Sequence, residues 1–253
     1  MSDTEQTNIG PAIGDCASCP YQDKLLASDR CKPGDACIQV KSGRQIDRFL
    51  KRNPTLADSY LQDDFWETRA IAVRYASQSK LLDMASDEDE AVRRAVAYRI
   101  PIDQLDVLIN DIDREVRITV ADRLPPKQLD KMIRDEDYLV RVYVARRIHA
   151  GLLFQMICDP DRQVRKEVAL RLPVVSLGML ANDQDEEVRR VVVDRIDPAG
   201  AVILLDDESW LVRLTAVQKV PLDMLDGMLN DPEVEVREAA LERLQRVPTP
   251  QVL

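Results

Sequence analysis

Four of the chain's five cysteines lie in the stretch CASCPYQDKLLASDRCKPGDAC, residues 16–37. Their spacing is Cys16-x2-Cys19-x11-Cys31-x5-Cys37. Four thiolates so placed could ligate a tetrahedral zinc ion or an iron–sulfur cluster, or close as disulfides in an oxidising compartment. Zinc ribbons usually present two C-x2-C knuckles, and here only Cys16 and Cys19 form one. Pro20 behind Cys19, and Pro33 with Gly34 between the later pair, make irregular loops that suit a bulky cluster and turn backbone N–H groups toward its sulfurs. Spacing alone ranks a [4Fe–4S] cluster first and zinc second, with disulfides or free thiols last. The fifth thiol, Cys158, occupies the place of Asn110, Asn182 and Asn230 in the repeats below, and reads as a repeat residue rather than a fifth ligand.

The remaining composition points away from other chemistry. The chain has no G-x-G-x-x-G, no P-loop and no H-E-x-x-H. Its one histidine, His149, stands where other units have proline, and reads as a loop residue. Carboxylates are plentiful but fall on a regular grid, so an enzyme with its own acid–base side chains is not expected. A formal charge of −10 argues against general binding to phosphate polymers or anionic membranes. The first residues lack the basic start and apolar core of a signal peptide, and no apolar run approaches the roughly 20 residues of a membrane span. The expected location is the cytoplasm, where clustered cysteines more often hold metal than form disulfides.

The elements that must position the thiols follow a 24-residue ruler. Arg69, Arg93, Arg117, Arg141, Arg165, Arg189, Arg213 and Arg237 are evenly spaced, and from Val92 to Val236 each but the first is preceded by valine. Six positions further on runs a second basic row, Arg99, Arg123, Arg147, Arg171, Arg195, Lys219 and Arg243. Such self-similarity marks stacked repeats that bury their apolar faces against one another. In DIDREVRITVADRLPPKQLDKMIR, residues 111–134, Val116, Val120 and Leu124 recur every four residues, predicting an amphipathic helix of three to four turns. Asp111 is the expected N-cap, with Pro160 and Pro232 at the first helical position of sister units, and Pro125 is the expected stop. The remainder of each unit suffices for one short helix. The first arginine row falls inside the apolar stripe, with an acid four residues before it (Asp113–Arg117, Asp137–Arg141, Asp161–Arg165) as the expected partner. Ser209 breaks that pattern. These rows read as a structural ladder between units rather than a phosphate track.

The unit D-x-D-x-x-V-R-x-x-V-A-x-R-L-P-x-x-x-L-x-x-L-L resembles the leucine-rich repeat variant family over roughly residues 62–247. The resemblance implies an all-α fold, a right-handed α-solenoid of alternating α- and 3₁₀-helices; the residues alone give two helices per unit, without handedness. Some family members carry an N-terminal four-cysteine segment that binds a [4Fe–4S] cluster. The same placement here implies that Cys16, Cys19, Cys31 and Cys37 ligate one. Members are often encoded among nitrogen-fixation genes. The expected organisation is a cluster-binding segment at 1–41, a degenerate capping repeat at 42–61, repeats at 62–247 and a tail at 248–253. The expected function is an iron–sulfur helical-repeat scaffold for a protein partner, with Trp210 as an exposed anchor and the cluster carrying an electron or reporting redox or iron status. One alternative is a zinc or cluster that only staples the array. Another is a nucleic-acid binder, whose continuous basic face Glu90, Asp122, Glu186 and Asp194 would interrupt.

Overall fold

The computed structural model describes residues 12–246, so the first residues of the cysteine segment and the expected tail at 248–253 lie outside the described residues. The chain divides into two compact units, Met1–Leu124 and Pro125–Leu253. In the first, an irregular segment with one π-helical turn, Gln22–Leu26, leads into α1 (Gly43–Arg52), α2 (Trp66–Tyr75), α3 (Glu90–Arg99) and α4 (Arg114–Arg123). In the second follow α5 (Tyr138–Arg147), α6 (Arg162–Arg171), α7 (Glu186–Arg195), α8 (Trp210–Val217) and α9 (Val234–Gln245). Short 3₁₀ helices, such as Ile102–Leu108 and Val174–Leu180, separate them, and within each unit successive α-helices pack side by side. Among the described residues there is no strand, only an isolated bridge between Lys32 and Ala36. No helix among them is long and apolar enough to cross a membrane.

The apolar stripe is buried as its periodicity predicts. Val116, Val120, Ala121 and Leu124 have no exposed surface, and neither do Val164, Val168 and Ala169 two repeats on. Leucines of the 3₁₀ helices, Leu105, Leu108, Leu177 and Leu180, close the layer. Each such side chain removed from water contributes about 1.5–3 kcal/mol.

The helix starts differ from expectation. In the D-x-D loop it is the second aspartate that caps: Asp89, Asp113, Asp137, Asp161 and Asp185 each accept the N–H two residues on. Helices α3 to α7 therefore run ten residues, about 15 Å, from just past that aspartate to the second basic row, shorter than the pattern suggested. Pro160 lies in the loop, two residues ahead of α6.

The first aspartate has another task, which also corrects the expected pairing. Arg165 Nε and Nη2 donate to Asp183, eighteen residues on, at 2.7 and 2.9 Å. Its Nη1 donates to the carbonyls of Asp159 and Pro160, in the loop before its own helix, at 2.8 and 3.1 Å. The same fork joins Arg69 to Asp87, Arg93 to Asp111, Arg141 to Asp159, Arg189 to Asp207 and Arg213 to Asp231. Asp183 Oδ1 also accepts the N–H of Asp185, which shapes the loop. The acid four residues back is engaged by free N–H groups at the helix start, while a planar guanidinium matches a carboxylate held squarely across the seam. With Ser209 in the cap position, α8 loses the side-chain cap but Arg213 keeps its carboxylate.

The second row also works between repeats. Arg123 Nη1 donates to the carbonyls of Ala97 and Ile100 at 2.6 and 2.8 Å, and Arg171, Arg195 and Arg243 repeat the contact on their preceding helices. A cation thus meets the negative end of the neighbouring helix. Lys219, with one nitrogen, reaches only the carbonyl of Asp194 among the bonds of this kind. The two rows differ electrostatically. The Asp183 carboxylate raises the pKa of Arg165 above the ordinary arginine value, whereas Arg123, facing neutral carbonyls, is lowered by burial.

Two outcomes follow. Arg165→Ala strands a buried Asp183, and should cost about 3 kcal/mol, against about 1 kcal/mol for losing the cap in Asp161→Ala. A denaturant double-mutant cycle should couple Arg165 to Asp183; coupling to Asp161 of equal size would refute the seam. Arg213, against the opposing effect of burial and with help from the Glu233 N–H, holds the Asp231 carboxyl below its ordinary 3.8. A depressed folded pKa contributes stability above the unfolded value and loses it as pH falls through the folded one. Asp231→Asn should therefore be less stable than the parent near neutrality, by a margin that closes as pH drops below about 4. A margin independent of pH down to full acid unfolding would show that charge is not the cause.

Candidate metal centre

The cysteine segment is folded by main-chain turns. Asp15 Oδ1 accepts the N–H of Ala17, and Cys19 N donates to Cys16 O at 3.2 Å, which sets the C-x2-C pair, both half-exposed, on one tight turn. In the π-helical turn Leu25 and Leu26 both donate to Tyr21 O, and Leu25 O then accepts the N–H groups of Arg30 and Cys31. That reversal brings Cys31 back to a buried position. Lys32 and Ala36 exchange two 2.8 Å hydrogen bonds around Gly34, whose φ of 78° is the left-handed conformation glycine adopts without strain. Cys37, also buried, donates its N–H to Gln45 O at 3.2 Å and so ties the last thiol to α1.

Helix α1 supplies anchors that sequence reasoning missed. Gln45 lies 24 residues before Arg69, in the register of the buried arginine row. It is buried, and its Nε2 donates to Ala12 O at 2.9 Å. Asn53, equally buried, donates Nδ2 to Arg30 O at 2.9 Å. Counting the repeat one unit further back would have exposed the Arg-to-Gln exchange. Tyr21, Phe49 and Tyr60 form an aromatic cluster beneath the segment, with the two tyrosine hydroxyls 3.0 Å apart. Burial, then the bond to Tyr21, keeps the Tyr60 phenol protonated well above the usual range.

All five cysteines are free thiols. Burial pushes the Cys31 thiol up, and the thiols of Cys37, Cys19 and Cys16 push it further, in that order, against the charge of Arg52. Among the described residues no group of three or more His, Cys, Asp or Glu side chains is arranged to hold a metal ion. The donor set, four sulfurs with no oxygen or nitrogen partner in the motif, is that of soft metals and iron–sulfur clusters. Gly14 also fits: its backbone passes so close that a Cβ would lie 3.0 Å from Cys37 Sγ and 2.8 Å from Gln39 Cβ. Cys158 is exposed in the second unit, and His149 accepts the Gly151 N–H at the start of a 3₁₀ helix, as a loop residue would.

Residues 10–59 match the family model described as LRV protein FeS4 cluster. A solved structure described as a leucine-rich repeat variant with a novel repetitive protein structural motif is 55% identical, covers 92% of this chain and 99% of its own, and superposes with a TM-score of 0.88. The chain belongs to the leucine-rich repeat variant family. Its repeats take that family's all-helical fold, and its first segment is the family's iron–sulfur segment. A Rhodobacter capsulatus protein described as an uncharacterized 27.7 kDa protein in the nifB 3' region is 40% identical over 87 residues, 34% of this chain. The chain matches 35% of the length of that curated relative.

A second feature of the first unit is a groove of about 850 Å³ whose lining includes Asp47, Trp66, Arg74, Arg94, Tyr98 and Glu115. Arg94 lies over the Tyr98 ring at 5.8 Å. The sequence signal was Trp66, which shares the repeat position of Trp210.

Gly14→Ala should lower the iron and acid-labile sulfide retained per chain while sparing the helical far-UV signal. Gly178→Ala, which meets nothing within 4 Å, is the control. Equal iron content in the two variants would show that the close approach does not matter.

Proposed function

We propose that Cys16, Cys19, Cys31 and Cys37 ligate one [4Fe–4S] cluster, and that the helical repeats serve as a cytoplasmic protein-interaction scaffold linked to its redox state. The observation that carries this reading is the match of residues 10–59 to the FeS4 cluster family model, over a segment that holds all four thiols and is tied to the first helix of the array by the bond from Cys37 N–H to Gln45 O. Bound there, such a cluster supplies reversible one-electron chemistry. The chain's own residues would hold it: Gln45 pins Ala12 ahead of the first thiol, Asn53 pins Arg30 next to Cys31, and the Tyr21–Phe49–Tyr60 cluster backs the segment. No enzymatic activity of side chains alone is part of this reading. The nitrogen-fixation context named for the Rhodobacter relative supports, by similarity, a role near that process.

For the scaffold, the half-exposed aromatics at helix starts are the natural anchors. Trp210 is 37% exposed and Tyr138 39%, so neither is consumed by packing. Nucleic-acid binding is disfavoured because the repeat arginines are spent inside the seams and Glu90, Asp122, Glu186 and Asp194 lie exposed between them.

Anaerobically purified protein should carry iron and acid-labile sulfide in near-equal amounts, with a brown absorption that bleaches on one-electron reduction. Cys31→Ala should abolish both and leave the helical far-UV signal largely intact; Cys158→Ala should change neither. Stoichiometric zinc without sulfide would overturn the cluster. A cluster that resists reduction, yet whose loss exposes residues 16–40 to protease, would reduce its role to a staple.

A further inference from the structure

Between residues 30 and 52 seven Lys and Arg side chains stand against two Asp, in a chain of net charge −10. All seven are exposed. Arg44, Arg48, Lys51 and Arg52 recur at helical spacing and share one face of α1 along about 12 Å. Arg48 and Arg52 converge on Asp35, and Arg30 Nη2 donates to Arg52 O at 2.9 Å, so loop and helix form one continuous rim. One aspartate shared by two guanidiniums leaves the cluster of charges positive. Arg48 and Arg52 keep 45% and 39% of their side chains exposed, which presents that charge to solvent. The rim adjoins the thiols: Arg30 and Lys32 flank Cys31, and Arg52 acts on it. Beyond residue 52 the balance reverses, with 38 acidic residues against 27 basic ones.

We propose that this rim is the docking surface for an acidic-faced electron-carrier protein of the ferredoxin class. A carboxylate-rich partner would be repelled by the repeats and steered to this basic region, which lies beside the sulfurs. Docked there, a reduced carrier would lie beside Cys16, Cys19, Cys31 and Cys37, which would hold the cluster that supplies the one-electron acceptor, with no proton or ligand transferred. The location of the charges beside the thiols favours a redox carrier over nucleic acid or a second copy of the chain. The proposal rests on the reading that residues 16–37 hold a redox-active cluster.

The test uses the full cluster-loaded chain and, as probe, a fluorescently labelled acidic [2Fe–2S] ferredoxin, with binding followed by anisotropy. Lys32→Glu, Arg44→Glu and Lys51→Glu combined should weaken binding about tenfold or more at low ionic strength and flatten its salt dependence. The control Lys127→Glu, Arg134→Glu and Arg190→Glu reverses three exposed charges elsewhere and alters net charge equally, so it should leave affinity nearly unchanged. Equal loss in the two variants, or no binding by the parent chain, overturns the proposal. So does tighter, rim-dependent binding of a DNA duplex, or rim-dependent self-association in sedimentation. Iron and sulfide content confirms that each variant is loaded, and a Gln triple at the same rim positions should give an intermediate loss. Rim-dependent binding without bleaching by reduced ferredoxin upholds the docking surface and removes the redox reading beneath it. Bleaching that ignores the rim variants does the reverse.

Discussion

Within each unit, seams between repeats are held by an arginine, as by Arg165, that grips the aspartate of the next loop with one edge and its own loop carbonyls with the other. Taking two charges out of water is expensive, and the cost is recovered only when every donor and acceptor is matched. Here Nε, Nη1 and Nη2 all find oxygens, and the aspartate additionally takes a loop N–H. This contact sets the spacing of successive helices within each unit, because the fork accepts the carboxylate in one orientation. The valines and leucines contribute more free energy in sum, but an oily seam would tolerate sliding that a bidentate ion pair does not.

The second arginine row complements the first at the other end of the helices. It places a cation on the terminal carbonyls of the preceding helix, where no intrahelical donor remains. Loop and terminus are thus both cross-linked, and helices of only ten residues, too short to persist alone, are kept helical by their neighbours. Charged side chains are consumed as internal fasteners, which is why a sequence so rich in arginine presents an acidic surface across its repeats.

The cysteine segment begins where this scheme stops. In α1 the seam arginine becomes Gln45, which carries no charge and instead donates its side-chain N–H to Ala12 O and accepts the Cys37 N–H on its main-chain carbonyl. At the other end of the helix Asn53 donates its side-chain N–H to Arg30 O. The cations of this region lie on the outside of α1 and the adjoining loop, so the interior of the segment is left to sulfur, aromatic rings and backbone.

Much of this was legible in the residues themselves. The 24-residue register, the apolar stripe and the burial of the arginine row follow from periodicity, since 100° per residue assigns faces without any knowledge of neighbours. The cysteine spacing likewise marked out the segment that matches the FeS4 cluster family model. Partner choice was not legible. Asp161 and Asp183 are both plausible on paper for Arg165, and only the packed neighbour decides, because an intrahelical pair competes with the helix's own unsatisfied N–H groups. Helix starts were displaced for the same reason: both aspartates in D-x-D accept an N–H two residues on, but the one gripped by the seam arginine does so within the loop, and the helix begins after the second. Gln45 and Asn53 stayed hidden because a lone amide carries no pattern; its meaning lies in contacts across 33 and 23 residues of chain. Sequence determined what is periodic or local, and the tertiary structure decided which of several chemically equivalent partners lies within hydrogen-bonding reach.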